Sequence, residues 1–223
     1  MSNQTDMIVA HIVKRIEDGT LSPGDVLEEK ALVSEFGLSR TPVREALLQL
    51  DAVGILRRKA RGGAEVFQPT LEEFLAILEV HAKLEGHAAA LAARRLSVDD
   101  AAALERACAA CDHHVETLAD AMPNAYYQHN LGFHKTVGLA AHNPFLMEMI
   151  RTNGRKLLAY YRARYAYKGS IPQSAIEHRK IAALIVDRDA AGAEEMMVRH
   201  VTFDSVTAMD LIAMLSKSRN LTI

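Results

Sequence analysis

Leu38-Ser39-Arg40-Thr41-Pro42-Val43-Arg44-Glu45-Ala46-Leu47 is the stretch on which the fold turns. Val43, Ala46, Leu47 and Leu50 recur at i, i+3, i+4 and i+7, the spacing of one helical face. Ser39 stands where a hydroxyl can accept from free first-turn amides. Pro42 is tolerated because those amides have no intrahelical partner. With the apolar stripe facing a core, Thr41, Arg44 and Glu45 face outward and Arg40 lies at the exposed N-terminal rim.

Upstream, Met7, Ile8, Ile12, Val13 and Ile16 predict a helix closed by Gly19 and a Leu21-Ser22-Pro23-Gly24 turn. A second helix fits Glu28 to Phe36, burying Ala31, Leu32 and Phe36 and stopping at Gly37. Downstream of Gly54, the runs Ile55 to Lys59 and Ala64 to Phe67 flank Arg61-Gly62-Gly63, a small β-hairpin with a basic, glycine-rich tip. Two helices joined by a tight turn and followed by a hairpin describe a winged helix-turn-helix. Its second helix would enter a major groove and offer Arg40 and Arg44 to base edges, where arginine pairs two-pronged with guanine. Two arginines four apart are by themselves a solvated face; here cap, stripe, basic rim and basic hairpin coincide.

The 223 residues carry 26 basic and 28 acidic side chains, a formal net charge of −2. Residues 40 to 61 alone hold six basic groups (Arg40, Arg44, Arg57, Arg58, Lys59, Arg61) against Glu45 and Asp51. The near-neutral total therefore conceals a focused basic patch. Aromatics are 5 % with no Trp, which favours helices over sheet and makes an all-β sandwich improbable. No apolar run approaches the roughly 18 to 20 residues that span a bilayer, and the first residues lack a signal peptide's uncharged core, so a cytoplasmic protein is expected. Cys108 and Cys111 cannot make a disulfide framework. On an alanine-rich helix they are expected to be small buried core residues.

Gly19-Thr-Leu-Ser-Pro-Gly-Asp-Val-Leu27, then Leu38 to Leu47, Leu50, Gly54 and the Arg61-Gly62-Gly63-Ala64 tip, resemble the DNA-binding domain of GntR-type bacterial transcription regulators over about the first seventy residues. The resemblance implies that Arg40 and Arg44 read bases. It also implies that Lys30, Ser39 and Thr41 hold phosphates, and that Arg61, Gly62 and Gly63 bring the wing tip to the minor groove. Lys30 stands where many members have arginine and loses the bidentate fork.

From Leu71 onward the periodicity predicts helices near 71–95, 98–118, 123–140, 144–166, 172–187 and 189–216. The fold expected is mainly α: residues 1–69 a winged helix-turn-helix DNA-binding domain, and 70–223 an all-α six-helix bundle for ligand binding and dimerisation. Nine of the ten histidines lie in the second part. Asn130 and His134 share one helix face, and His178 and His200 fall on two later helices. Three imidazoles and an amide oxygen would suit a divalent first-row metal, but spacing alone does not select these four.

The selection comes from resemblance. Asn130-Leu-Gly-Phe-His134 with Asn143-Pro144, Glu177-His178 and Met197-Val-Arg-His200 resemble the FCD-type effector domain of the FadR subgroup, and six helices rather than seven point to its VanR-like branch. The resemblance implies the metal ligands Asn130, His134, His178 and His200. Asn130 stands where the family usually has aspartate and brings no charge, so zinc or nickel is expected over manganese. His81 stands where many members have an arginine that grips a carboxylate effector. Tyr126, Arg155 and Arg162 are the other effector-site candidates, with core or solvated roles as the plain alternative.

The expectation is a homodimeric repressor on double-stranded operator DNA, controlled by a small carboxylate metabolite bound near the metal. The alternative is a metal-dependent enzyme with an accessory N-terminal domain. No HExxH, nucleophile elbow or P-loop is present, and an enzyme has no need of a base-reading helix and basic wing.

Overall fold

The computed structural model describes residues 3–60, 62–158, 161, 164–165 and 167–202. The chain divides into two compact units. The first comprises the described residues up to Thr70 with 154–158, and the second the rest.

In the first unit, helix α1 (Asn3–Glu17) buries Ile8, Ile12, Val13 and Ile16. Strand β1 (Val26–Leu27) leads into α2 (Glu29–Phe36), then α3 (Arg40–Ala52), β2 (Leu56–Arg58) and β3 (Ala64–Val66). Gly37 ends α2 in the left-handed region at φ 63°, a conformation glycine adopts without cost to a Cβ. The strands form an antiparallel sheet in the order β1-β3-β2, with Leu27 opposite Ala64 and Leu56 opposite Val66.

The α3 stripe is as the periodicity predicts: Val43, Ala46, Leu47 and Leu50 are buried, with Pro42 beside them. Two expectations are corrected. Ala31 is exposed, because Leu32 occupies the buried side of α2 and its neighbour lies about 100° around the helix. Ser39 is the N-cap of α3 by backbone but makes no side-chain cap bond. A cap hydroxyl bonds the second or third amide of the helix, and the third residue here is Pro42, which has no N–H.

The second unit is built from helices alone among its described residues: α4 (Leu71–Arg95), α5 (Val98–Leu118), α6 (Pro123–Ala140), α7 (Pro144–Lys156, its last turn belonging to the first unit), α8 (Ser170–Val186) and α9 (Ala190–Val201). The alanine run Ala88, Ala89, Ala90, Ala92 and Ala93 is buried along α4. A Cβ on Gly86 would lie 2.5 Å from Val198 Cγ2, so small residues are what allow α9 to lie close against α4. Ser97 and Asp100 close a reciprocal capping box at the start of α5, and Arg188 donates to the carbonyls of Ala93 and Leu96 at the end of α4.

The helix expected over 144–166 is interrupted at Leu157, a turn, and Leu158, Tyr161 and Arg164 are helical again before a turn at Tyr165. Glycine at 154 is a poor helix former, and the ladder tightens there, with Leu157 N–H bonding Gly154 O at 3.1 Å. Residues 203–223, into which the last predicted helix extends, lie outside the described residues.

Candidate functional site

Each unit presents a separate cluster of chemistry-bearing residues. In the first, Lys30 on α2 and Arg40, Thr41 and Arg44 on α3 are exposed, as is Ser39 just ahead of them. Arg44 Nε donates to Glu29 Oε2 at 2.9 Å, so a carboxylate on α2 holds the guanidinium. On the hairpin, Arg57, Arg58 and Lys59 are exposed. Gly63 has φ 76°, and a Cβ there would sit 2.5 Å from Leu27 O, so the wing's return strand passes where only glycine fits. Gly62 has φ 95° and open space around it. Arg61 lies outside the described residues.

In the second unit α6 contributes His134, α8 His178 and α9 His200. One ligand atom from each lies within 4.8 Å of the others. His178 Nε2 and His200 Nε2 are 3.1 Å apart. Phe133, one residue before His134, stacks on His178 with ring centroids 4.0 Å apart and an 18° interplanar angle. That contact fixes the plane of the ring.

The far sides of the imidazoles are occupied. His200 Nδ1 donates to Glu177 Oε2 at 2.7 Å. His178 Nδ1 meets Cys111 Sγ at 3.5 Å, and His134 Nδ1 lies 3.3 Å from Glu85 Oε2, off the line of a hydrogen bond. Burial pushes His178 well below the ordinary imidazole range, and the neighbouring imidazoles of His200 and His134 and the Arg164 guanidinium push the same way. Burial does the same to His200, reinforced by His134 and Arg164. Burial also pushes the Cys111 thiol up to about 12, so it stays protonated beside His178. Two neutral rings with their Nε2 atoms converging, braced at Nδ1, form a donor set that fits a divalent ion favouring imidazole.

Asn130, the fourth expected ligand, is buried on α6, and its Oδ1 accepts the Tyr165 hydroxyl at 2.8 Å. His81 is buried on α4 with Nε2 3.6 Å from Glu85 Oε1 and its Nδ1 without a hydrogen bond. Burial lowers its pKa, against the raising effect of Glu85. Tyr126 is fully buried, edge-on to His114 and Tyr165 at 5.3 and 5.0 Å. Arg155 is grouped with the first unit, where its Nε donates to Glu17 Oε1 at 3.0 Å. Arg162 lies outside the described residues.

Glu85 is the site residue that sequence reasoning passes over. It is buried with its carboxylate between His81 and His134. Desolvation raises its pKa, but the two imidazoles outweigh it and the carboxyl ends lower than usual. Glu177 is committed to His200 and lies 3.8 Å from Arg164 Nη2. Cys108 and Cys111 are both buried and free.

Comparison with known proteins gives two family matches: "FCD domain" over residues 76–203 and "Bacterial regulatory proteins, gntR family" over residues 4–66. The chain is 29 % identical over 208 residues to the HTH-type transcriptional regulator LutR of Bacillus subtilis (strain 168), covering 84 % of this chain and 93 % of LutR. It is 26 % identical over 190 residues to a protein of Paenarthrobacter nicotinovorans named "Probable D-xylose utilization operon transcriptional repressor", covering 85 % and 82 %. Among solved structures, E. coli McbR/YncC has the same fold, with a TM-score of 0.78 at 23 % identity over 99 % of this chain and all of that one. These family and relative names are those of transcription regulators rather than enzymes. Among the described residues, no helix is long and apolar enough to cross a membrane.

Proposed function

The chain belongs to the gntR family of bacterial regulatory proteins and carries an FCD domain, and on that footing we propose that it is a cytoplasmic, metal-loaded repressor of the FadR subgroup, VanR-like branch. Residues 1–69 form the DNA-binding domain and 70–223 the ligand-binding and dimerisation domain. Two copies in a homodimer read a pseudo-palindromic operator. Arg40 and Arg44 address base edges, Lys30, Ser39 and Thr41 address phosphates, and Arg61, Gly62 and Gly63 take the wing tip to the minor groove.

The observation that carries the effector half of this reading is the meeting of His134, His178 and His200 within 4.8 Å. Those imidazoles, with the amide oxygen of Asn130 as the fourth group, would hold zinc or nickel in preference to manganese. When bound, the ion supplies a Lewis-acidic position for a carboxylate oxygen of a small metabolite. His81 and Tyr126, with Arg155 and Arg162 as further candidates, would contact the remainder of that molecule. The effector must bind the operator-competent and released states with different affinity, since only a differential shifts the equilibrium. The repressor names among the relatives support the sign of control.

Elemental analysis of purified protein against His134→Ala plus His178→Ala tests the centre. About one zinc or nickel per chain is expected in the unsubstituted protein and little in the variant; equal metal content in both would sink the assignment. Thermal shift with organic and sugar acids, with and without zinc, then tests the effector class: stabilisation should need both metal and acid.

A further inference from the structure

Glu85 presents a problem that the described residues of the bundle do not solve. It is a carboxylate with 3 % of its surface exposed. Among the described residues the groups facing it are the imidazoles of His81 and His134, with the Tyr161 ring close enough to feel its charge. No lysine or arginine is paired with it there. A buried anion without a fixed cation is costly, because neighbouring dipoles replace lost hydration poorly. Its Oε2 has no hydrogen-bond partner although it lies 3.3 Å from His134 Nδ1.

The second observation is at position 130. The residue one helical turn before His134 is a neutral amide whose Oδ1 already accepts from Tyr165, so it brings no charge to the three imidazoles. One position has charge to spare and another lacks it, and His134 connects them: it is on the same helix as Asn130 and its Nδ1 side faces Glu85.

We propose that Glu85 is the positioning carboxylate of the metal centre: through His134 Nδ1 it sets that ring's tautomer and supplies the negative charge that Asn130 does not. The inference rests on the metal-centre reading above. A proton on Nδ1, the nitrogen 3.3 Å from Glu85 Oε2, leaves the Nε2 lone pair of His134 free, as the Glu177 contact does for His200; a small turn of either side chain would close the hydrogen bond. Carboxylate behind imidazole is a recurrent arrangement at metal centres because it fixes the ring and makes it a stronger donor. With Glu85 behind His134 and Glu177 behind His200, the charge that neutralises a divalent ion sits one ring removed from it. Among the described residues no fixed cation is paired with Glu85, and a bound ion would supply that positive charge.

The test is zinc affinity, measured by competition with a chelator on the full chain, for the unsubstituted protein, Glu85→Gln, Asn130→Asp and the double variant. Glu85→Gln keeps shape and removes charge, and should weaken zinc about 10- to 100-fold. Asn130→Asp should strengthen it and, in the Glu85→Gln background, restore most of the loss. Long-range proton–nitrogen NMR of the metal-free protein should show His134 protonated at Nδ1, and Glu85→Gln should disturb that assignment while His200 keeps its own. If Glu85→Gln proves too unstable to assay, the His134 tautomer in the unsubstituted protein decides: an Nε2-protonated ring overturns the proposal. So does a Glu85→Gln protein that binds zinc within threefold of the original. Absence of zinc binding by the unsubstituted protein would instead defeat the metal-centre reading itself, and this inference with it.

Discussion

At the scale of single residues, Arg44 shows how a surface can be ready for DNA without being strained. Its guanidinium is held by Glu29, half exposed, at a distance that leaves the other nitrogens free for a two-pronged contact. An exposed ion pair of this kind contributes at most about 1 kcal/mol to folding, so Arg44→Ala should leave the denaturation midpoint nearly unchanged. Its cost appears on the operator. Affinity should fall by about 1 to 3 kcal/mol, roughly 5- to 150-fold, with discrimination relaxed at one base position per half-site. Fluorescence anisotropy on a panel of single-base operator variants measures both. A uniform loss across all sequences would reassign Arg44 to phosphate contact, and no loss would remove it from the reading surface.

At the scale of elements, the wing makes a comparably sharp prediction, because its two glycines are alike in sequence and different in space. Both have positive φ, but a Cβ at Gly62 meets nothing within 4 Å while one at Gly63 would meet the Leu27 carbonyl at 2.5 Å. Gly62→Ala should therefore cost about 1 kcal/mol, the backbone penalty alone. Gly63→Ala should cost more, because β1 must move off β3. Urea denaturation of the two variants checks the order, and equal costs would show that the β1–β3 approach has slack.

The same elements show what a sequence can and cannot display. The α3 face of Val43, Ala46, Leu47 and Leu50 was legible because burial on one side of a helix prints a period into the chain. The missing Ser39 cap was legible too, since Pro42 occupies the third position, but a cap residue draws the eye before the recipient amide does. The interruption at Leu157 was not: an apolar period runs straight through Gly154, and helix is present on both sides of the tightened turn. Resemblance, not spacing, selected His134, His178 and His200 from nine histidines. Glu85 stayed hidden because its neighbours Lys83 and Glu79 make it look like part of a solvated face; its burial comes from elements far away in the chain.

At the scale of the whole molecule, the division of labour between the units has a measurable pH signature. The first 69 residues hold one histidine, His11, while the second part holds four that burial depresses, His81, His129, His178 and His200. In the unfolded chain each titrates near 6.5; in the fold each titrates lower. Between those values the unfolded state holds more protons, so stability rises with pH. The contribution is complete above about pH 6.5 and is lost as pH falls toward the folded values. All six tyrosines lie at or beyond position 126 and there is no Trp, so tyrosine fluorescence reports the second unit alone. For metal-free protein the urea midpoint by tyrosine emission should fall steadily from pH 7 to 5.5, and His178→Phe, if folded, should flatten that slope. Saturating zinc should steepen it, because protons then compete with the ion for the same nitrogens. A midpoint that holds or rises as pH falls would show that these imidazoles are not buried in neutral form, and with that the claim that His178 and His200 stand ready as neutral donors would fail.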